Sequence, residues 1–108
     1  MTPFERISLV DAAAMLAQGT VQLVDIRDAA SFNAAHVAGA VHLTNDTLTD
    51  FLDEADRSVP LLVMCYHGHS SQGAAAFLAG QGFSRVYSVD GGFEGWRLAH
   101  PWVSGASV

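Results

Sequence analysis

The chain has 108 residues, of which 50% are hydrophobic and 15% carry a charge, and its formal net charge is −6. This length and composition are typical of one folded domain and exclude a disordered segment. The five basic residues are all arginine and are outnumbered by eleven acidic ones, so we expect no nucleic-acid partner and no membrane partner.

Location and redox state can be predicted from the first residues and from cysteine usage. The segment Met1–Arg6 has no apolar stretch of the kind found in a secretory leader, and no apolar run approaches the roughly 20 residues of a membrane span. The only cysteine, Cys65, cannot form a disulfide within the chain. We therefore expect a cytoplasmic protein with one free thiol.

The chain opens with a predicted edge strand, a helix and a second strand. Residues 4–7 predict the short strand, and Ser8 can accept a hydrogen bond from the first turn of the helix that follows. Apolar residues then recur at helical spacing as far as Gly19, which favours the end of the helix. The apolar, partly β-branched segment 21–25 predicts the second strand.

The next elements are short. Asp28 is placed to cap a helix over residues 29–34, and residues 36–39 predict a turn. Residues 40–43 predict the third strand.

The middle of the chain contains the most apolar strand. A polar loop at 44–47 predicts the cap of a helix over about 48–55. The continuous apolar run 61–64 predicts a strand that is covered on both faces. Ser70 or Ser71 can cap the helix that follows, which extends to about Gly80.

The last elements are a strand over residues 86–89, a turn at 90–92 and a short helix. Phe93 and Trp96 belong to that helix, and Pro101 ends it.

Strands and helices thus alternate about five times along the chain. This alternation predicts an α/β fold with a mostly parallel, about five-stranded sheet and helices on both faces. No internal repeat or linker is visible, so we expect a single domain over residues 1–108, with its core at about 4–100 and a tail at 101–108.

Cys65 lies where the central strand ends and a polar loop begins, a few residues before a helix. Open α/β sheets bind their ligands at this edge. Free N–H groups and the positive end of the helix dipole favour an anion there, and the same field lowers the pKa of a nearby thiol. We therefore predict that Cys65 is a nucleophilic thiolate rather than a small buried hydrophobe.

The loop after Cys65 predicts a cradle for negative charge. Gly68 allows backbone conformations that a Cβ would hinder, and successive inward N–H groups form an anion-binding nest. Hydroxyls and protonated imidazoles can add contacts, although the two histidines are also compatible with a solvated loop. The candidate substrate-binding residues are Tyr66, His67, Gly68, His69, Ser70 and Ser71.

Two other kinds of cysteine site are disfavoured. Cysteine phosphatases place an arginine six residues after the cysteine to clamp phosphoryl oxygens, and here that position is Ser71. The histidines are not spaced with Cys65 as zinc ligands are, so we predict no metal and no other cofactor.

Several polar residues are predicted to be structural. Asp25 ends the second strand and Arg27 follows it; both are expected to organise the loops above the sheet, while a contribution of Arg27 to the site stays open. His36 is expected to bond the backbone at its turn. His42 and His100 carry no functional signal.

Three stretches in register resemble the rhodanese superfamily. The first stretch comprises residues 24–28, Phe32 and residues 36–40. The second is Cys65 at the start of its loop. The third is residues 89–96, whose sequence is Val-Asp-Gly-Gly-Phe-Glu-Gly-Trp. They cover the chain from about Val21 to Trp96. Ala35 and Ala38 replace the family's usual glycine and proline, both at turn positions away from the nucleophile.

The resemblance implies a rhodanese-like domain that acts as a thiosulfate sulfurtransferase. Cys65 would take the outer sulfur of thiosulfate as a persulfide and release sulfite. The acceptor would be a thiophile such as cyanide, or a dithiol protein such as thioredoxin. The alternative is a persulfide carrier or redox-binding partner that another protein loads; a catalytically silent module is disfavoured by the intact Cys65.

Overall fold

The computed structural model describes residues 3–105, in which five strands alternate with five helices. The strands are β1 (Glu5–Ile7), β2 (Gln22–Asp25), β3 (Val41–His42), β4 (Leu61–Met64) and β5 (Val86–Val89). The helices are α1 (Leu9–Gln18), α2 (Ala29–Ala34), α3 (Leu48–Glu54), α4 (Ser70–Ala79) and α5 (Gly92–Ala99). The predicted alternation is confirmed, and β1, β2 and β3 are slightly shorter than predicted. No helix among residues 3–105 combines the length and the apolar content that a membrane crossing needs.

The five strands form one parallel sheet in the order β1-β5-β4-β2-β3. β4 lies at the centre, and β1 lies at an edge as predicted. The order brings the carboxyl ends of β2, β4 and β5 side by side, which is the edge where open parallel sheets place their ligands.

Alternating side chains of β4 fill two cores, one on each face of the sheet. Leu62 and Met64 pack in the core that also contains α1, α2 and α5, whereas Leu61 and Val63 pack in the core beneath α3 and α4. All four side chains are fully buried. Each contributes about 1.5–3 kcal/mol of hydrophobic stabilisation, which explains why this strand is apolar throughout.

Two of the three predicted caps are present at the first three helices. The Ser8 hydroxyl accepts a hydrogen bond from the first turn of α1 at 3.1 Å, and the Asp28 carboxylate accepts one from the first turn of α2 at 3.0 Å. The loop 44–47, predicted to cap the third helix, supplies Thr47 at the cap position but no side-chain bond to the helix. The Thr47 hydroxyl instead accepts a hydrogen bond from the N–H of Thr44 at 2.9 Å.

The chain after α5 returns to α2. His36 and Val103 exchange both backbone hydrogen bonds at 2.8 Å, and the Trp96 indole N–H donates to the Pro101 carbonyl at 2.9 Å. α5 ends before Pro101, as predicted. Residues 101–105 of the predicted tail thus contact the rest of the domain, and residues 106–108 lie outside the described residues. The division of 1–108 into a core at 4–100 and a tail stays a prediction.

Candidate active site

Cys65 directly follows β4 at the carboxyl edge of the sheet. Only 2% of its surface is exposed. Tyr66, His67 and His69 form an exposed rim, while Gly68 is buried beneath it. Helix α4 begins at Ser70, directly after this loop. The sulfur is therefore buried beneath a short loop whose other side chains are exposed.

Three groups converge on the sulfur atom. The N–H groups of Gly68 and Ser71 each donate to Cys65 Sγ at 3.2 Å, and the Ser71 hydroxyl oxygen lies 3.2 Å from it. Burial raises the pKa of the Cys65 thiol, but the Ser71 hydroxyl, these two N–H groups and the N–H of His67 more than offset it, so the pKa lies below its ordinary value. The surroundings of the sulfur thus favour the thiolate, the nucleophilic form.

Further N–H groups of the loop have no acceptor among the described residues. Those of Tyr66, His69 and Ser70 donate to no other group within residues 3–105. Two of them belong to the start of α4, where unpaired N–H groups and the helix dipole favour an anion. Because residues 66–71 include neither lysine nor arginine, backbone dipoles are the main source of positive potential here.

The cap predicted for α4 is wrong. His69 precedes the helix and makes no side-chain cap, while Ser70 and Ser71 are its first residues. The Ser71 hydroxyl is turned to Cys65 Sγ and to the Ser88 hydroxyl on β5, which lies 2.7 Å away. The Ser71 hydroxyl thus contacts a buried sulfur six residues before it and a buried hydroxyl 17 residues after it, instead of capping its own helix.

The N-terminus of α5 holds the carbonyl groups of the loop. The N–H of Phe93 donates to the carbonyl of Cys65 at 2.8 Å, and the N–H of Glu94 donates to that of Tyr66 at 3.0 Å. In a trans peptide the N–H points opposite to the C=O. The N–H groups of Tyr66 and His67, which share these two peptide planes, are therefore turned away from α5.

Two glycines permit this close contact between the loop and the turn before α5. Gly92 has φ +58°, and a Cβ there would lie 2.4 Å from the Tyr66 carbonyl oxygen. Gly68 has φ +95°, and its Cβ would lie 3.0 Å from the backbone nitrogen of Gly91. Residues 90–92 were predicted as a turn only, and the structure adds that they support the loop.

Asp25 and Arg27 form a buried ion pair beside the site. Arg27 Nη2 lies 2.8 Å from Asp25 Oδ2, and the same nitrogen donates to the Ala35 carbonyl at 2.6 Å. The guanidinium also lies 4.1 Å from the centre of the Phe93 ring. Arg27 thus connects β2, α2 and α5, which confirms its organising role, and it makes no hydrogen bond to residues 65–71.

The histidines have different surroundings. His67 and His69 are exposed on the rim. His36 is buried, stacks on Phe32 and has its Nδ1 2.8 Å from the Phe32 carbonyl oxygen, which confirms the structural role predicted for it. His42 likewise bonds a backbone carbonyl, that of Arg27, at 2.6 Å. Residues 3–105 hold no group of three or more metal-binding side chains placed around a common point.

Ser88 is the residue that the sequence analysis missed. It is fully buried, and its hydroxyl reaches Cys65 through Ser71. The available signal was a serine within an otherwise apolar strand, since a buried hydroxyl needs a hydrogen-bond partner.

Cys65 lines none of three cavities of about 430, 630 and 370 Å³ formed by residues 3–105. The cavity of about 430 Å³ lies beside the loop, between α4 and the loops after β2 and β3. The groups next to the sulfur are therefore those of its own loop, whose open N–H groups suit an anion.

Comparisons with known proteins cover nearly the whole chain. Residues 8–99 match the rhodanese-like domain. The chain is 57% identical over 104 residues to thiosulfate sulfurtransferase GlpE of Tolumonas auensis, covering 96% of this chain and 98% of that protein. It is 55% identical over 101 residues to the protein of the same name from Pseudomonas entomophila, covering 94% and 92%.

A solved structure supports the fold independently. The crystal structure of the Alr3790 protein from Anabaena matches with a TM-score of 0.81 and 21% identity, covering 94% of each chain. The matched family segment runs from α1 to α5 and includes Cys65, its loop and the supporting glycines. The chain therefore belongs to the rhodanese-like domain family.

Proposed function

We propose that this protein is a thiosulfate sulfurtransferase in which Cys65 is the nucleophile. The observation that carries this proposal is the convergence of two N–H groups and one hydroxyl on the sulfur of the only cysteine. A thiolate held in an open cradle of amides suits a small anionic sulfur donor. The full-length similarity to thiosulfate sulfurtransferases supports thiosulfate as that donor.

The first half-reaction forms a persulfide. The Cys65 thiolate attacks the outer sulfur of thiosulfate, the new S–S bond forms, and the old one breaks with its electron pair leaving on sulfite. Charge balances, since the singly charged thiolate and doubly charged thiosulfate give a singly charged persulfide and doubly charged sulfite. No general base is needed once the thiol is ionised.

Each loop residue has a proposed role in this step. The open N–H groups of Tyr66, His69 and Ser70 bind the sulfonate oxygens, while those of Gly68 and Ser71 hold the cysteine sulfur. The Ser70 hydroxyl and protonated His67 or His69 add contacts from the rim.

The second half-reaction returns the thiolate. Cyanide takes the terminal sulfur as thiocyanate. A dithiol removes it as hydrogen sulfide and is itself oxidised to a disulfide, its two protons leaving with the sulfide. We propose a dithiol protein such as thioredoxin as the acceptor and the cytoplasm as the location, because a reducing compartment keeps the single thiol free.

Intact-mass measurement tests this function. Thiosulfate is expected to add one sulfur atom to the protein, and cyanide is expected to remove it while thiocyanate and sulfite accumulate in equal amounts. Protein alkylated beforehand at Cys65 is the control and should gain nothing. No mass gain from thiosulfate would contradict the proposal, and a gain that needs a second protein as donor would indicate a persulfide carrier.

Tyr66 connects the loop to α2, and this contact gives a second test. Its hydroxyl donates to the Asp28 carboxylate and accepts from the Asp28 N–H at 3.1 Å. The bonds from Tyr66 and then from Ser31 hold the pKa of the Asp28 carboxyl well below its usual range.

We expect Tyr66→Phe to lower kcat/KM for sulfur transfer about two- to fivefold, because the loop loses one anchor while the nucleophile stays in place. Steady-state kinetics with thiosulfate and cyanide measure this. Tyr87→Phe is the matched control, since the Tyr87 hydroxyl makes no hydrogen bond to the loop. Equal rates for the two variants would show that the Tyr66–Asp28 contact does not position the loop.

A further inference from the structure

Ser88 is a buried polar residue to which the sulfur chemistry above assigns no role. It lies on β5 between Tyr87 and Val89, and none of its surface is exposed. Its Oγ is 2.7 Å from Ser71 Oγ, which is 3.2 Å from Cys65 Sγ. Within residues 3–105 its hydroxyl has no other hydrogen-bond partner, so the three side chains form one unbranched chain that ends at the sulfur.

The number of protons gives this chain a direction. When Cys65 is a thiolate, two hydroxyl protons are available for two contacts, and both are used if Ser88 donates to Ser71 and Ser71 donates to the sulfur. When Cys65 is a thiol, three protons compete for the same two contacts, and one of them has no acceptor in the chain. An unpaired buried donor is costly, so the chain favours the thiolate.

Ser71 could otherwise direct its proton elsewhere. Serines near a helix start often donate to a carbonyl of the preceding turn. If the Ser88 hydroxyl donates to Ser71 Oγ, it occupies one acceptor position of that oxygen. The Cys65 sulfur is then the partner for the Ser71 proton.

We propose that Ser88 is a positioning residue for the sulfur transfer, because its hydroxyl donates to Ser71 Oγ and so commits the Ser71 proton to the Cys65 sulfur. This inference rests on the nucleophilic role proposed for Cys65. Its readout is the ionisation of the thiol, which requires no turnover, so the two proposals can fail separately.

Charged and titratable groups lie on the loop, β2, β5 and α5 around this end of the sheet, while α4 has none. They are Tyr66, His67 and His69 on the loop, Asp25 at the end of β2, Arg27 and Asp28 after β2, Tyr87 on β5, Asp90 after β5, and Glu94 on α5. Asp25 pairs with Arg27, Asp90 with Arg6 and Glu94 with Arg97. The pKa of Cys65 responds to burial and to hydrogen bonds, led among the latter by the Ser71 hydroxyl, rather than to these charges.

The test is the pH dependence of Cys65 alkylation by iodoacetamide in wild type, Ser71→Ala, Ser88→Ala and the double variant. Because the chain has one cysteine, the rate reports a single thiol. The wild-type midpoint is expected below that of free cysteine. Ser71→Ala should leave about tenfold less thiolate at pH values below the midpoint, and Ser88→Ala about threefold less. Ser88→Ala should change nothing further in the Ser71→Ala background, since it acts only through Ser71.

Control variants separate positioning from packing. Ser88→Thr keeps the hydroxyl and should keep the wild-type midpoint, and Ser84→Ala removes an exposed hydroxyl that bonds only the Ser58 carbonyl and should also keep it. Thermal unfolding checks that each variant is folded. Three results would each overturn the inference. They are an alkylation midpoint unchanged by Ser88→Ala, a raised midpoint in folded Ser88→Thr, and a Ser88→Ala shift that is equal in the wild-type and Ser71→Ala backgrounds. Failure of the sulfurtransferase proposal would appear differently, as wild-type protein that gains no sulfur from thiosulfate.

Discussion

Cys65→Ser is expected to abolish sulfur transfer while the fold stays intact. A serine hydroxyl does not ionise at neutral pH and cannot carry a sulfane sulfur, so both half-reactions are lost. We expect kcat/KM with thiosulfate and cyanide to fall at least about a thousandfold. The serine oxygen can still accept the N–H groups of Gly68 and Ser71, so the melting temperature should change by no more than a few degrees.

Cys65→Ala is the companion variant. Both variants should show the same background rate, because neither side chain forms a persulfide, and circular dichroism should give the same spectrum for both as for wild type. The proposed nucleophile would be refuted by a Cys65→Ser protein that keeps more than a few per cent of wild-type activity.

The parts of the fold that could be predicted depend on local pattern. The run 61–64 predicts a strand covered on both faces, and its alternate side chains do enter two different cores. The cap residues Ser8 and Asp28 were predicted because a cap bonds a residue three positions along the chain. Alternating strands and helices then favoured a parallel sheet, since a parallel connection needs a crossover element.

The parts of the site that could not be predicted depend on distant contacts. Ser71 was predicted as one of two possible caps and as a substrate-binding residue. Its contact with Ser88, 17 positions along the chain, could not be predicted from either role. The bond from Phe93 to the carbonyl of Cys65 joins residues 28 positions apart, and no periodicity reports it. Position along the chain predicted Cys65 as the candidate nucleophile, while the sheet order, which the sequence does not state, determines what surrounds it.

Gly92 shows most directly how a distant residue shapes this loop. A Cβ there would lie 2.4 Å from the Tyr66 oxygen and 2.6 Å from the Cys65 oxygen, and both are backbone atoms that cannot rotate away. The backbone at φ +58° adds strain for any side chain. Alanine at this position must therefore separate α5 from the loop and weaken the two bonds that hold the carbonyls of Cys65 and Tyr66.

We expect Gly92→Ala to lower kcat/KM for sulfur transfer about a hundredfold, because displacement of catalytic groups by about 1 Å has an effect of that size. The overlap and the backbone strain together should lower the free energy of unfolding by about 2–4 kcal/mol. Steady-state kinetics and urea unfolding of the purified variant measure the two effects.

Gly39→Ala is the matched control, because Gly39 also has a positive φ, +84°, but a Cβ there would meet nothing within 4 Å. That variant carries the backbone strain alone, so it should lose about 1 kcal/mol of stability and keep wild-type kinetics. If Gly92→Ala behaved like Gly39→Ala in both measurements, close contact with α5 would not be what holds the amides of the loop around the sulfur. A loss of activity confined to Gly92→Ala would instead assign the Gly-Gly turn a positioning role in catalysis, since the atoms nearest to a Cβ at Gly92 are backbone atoms of the loop.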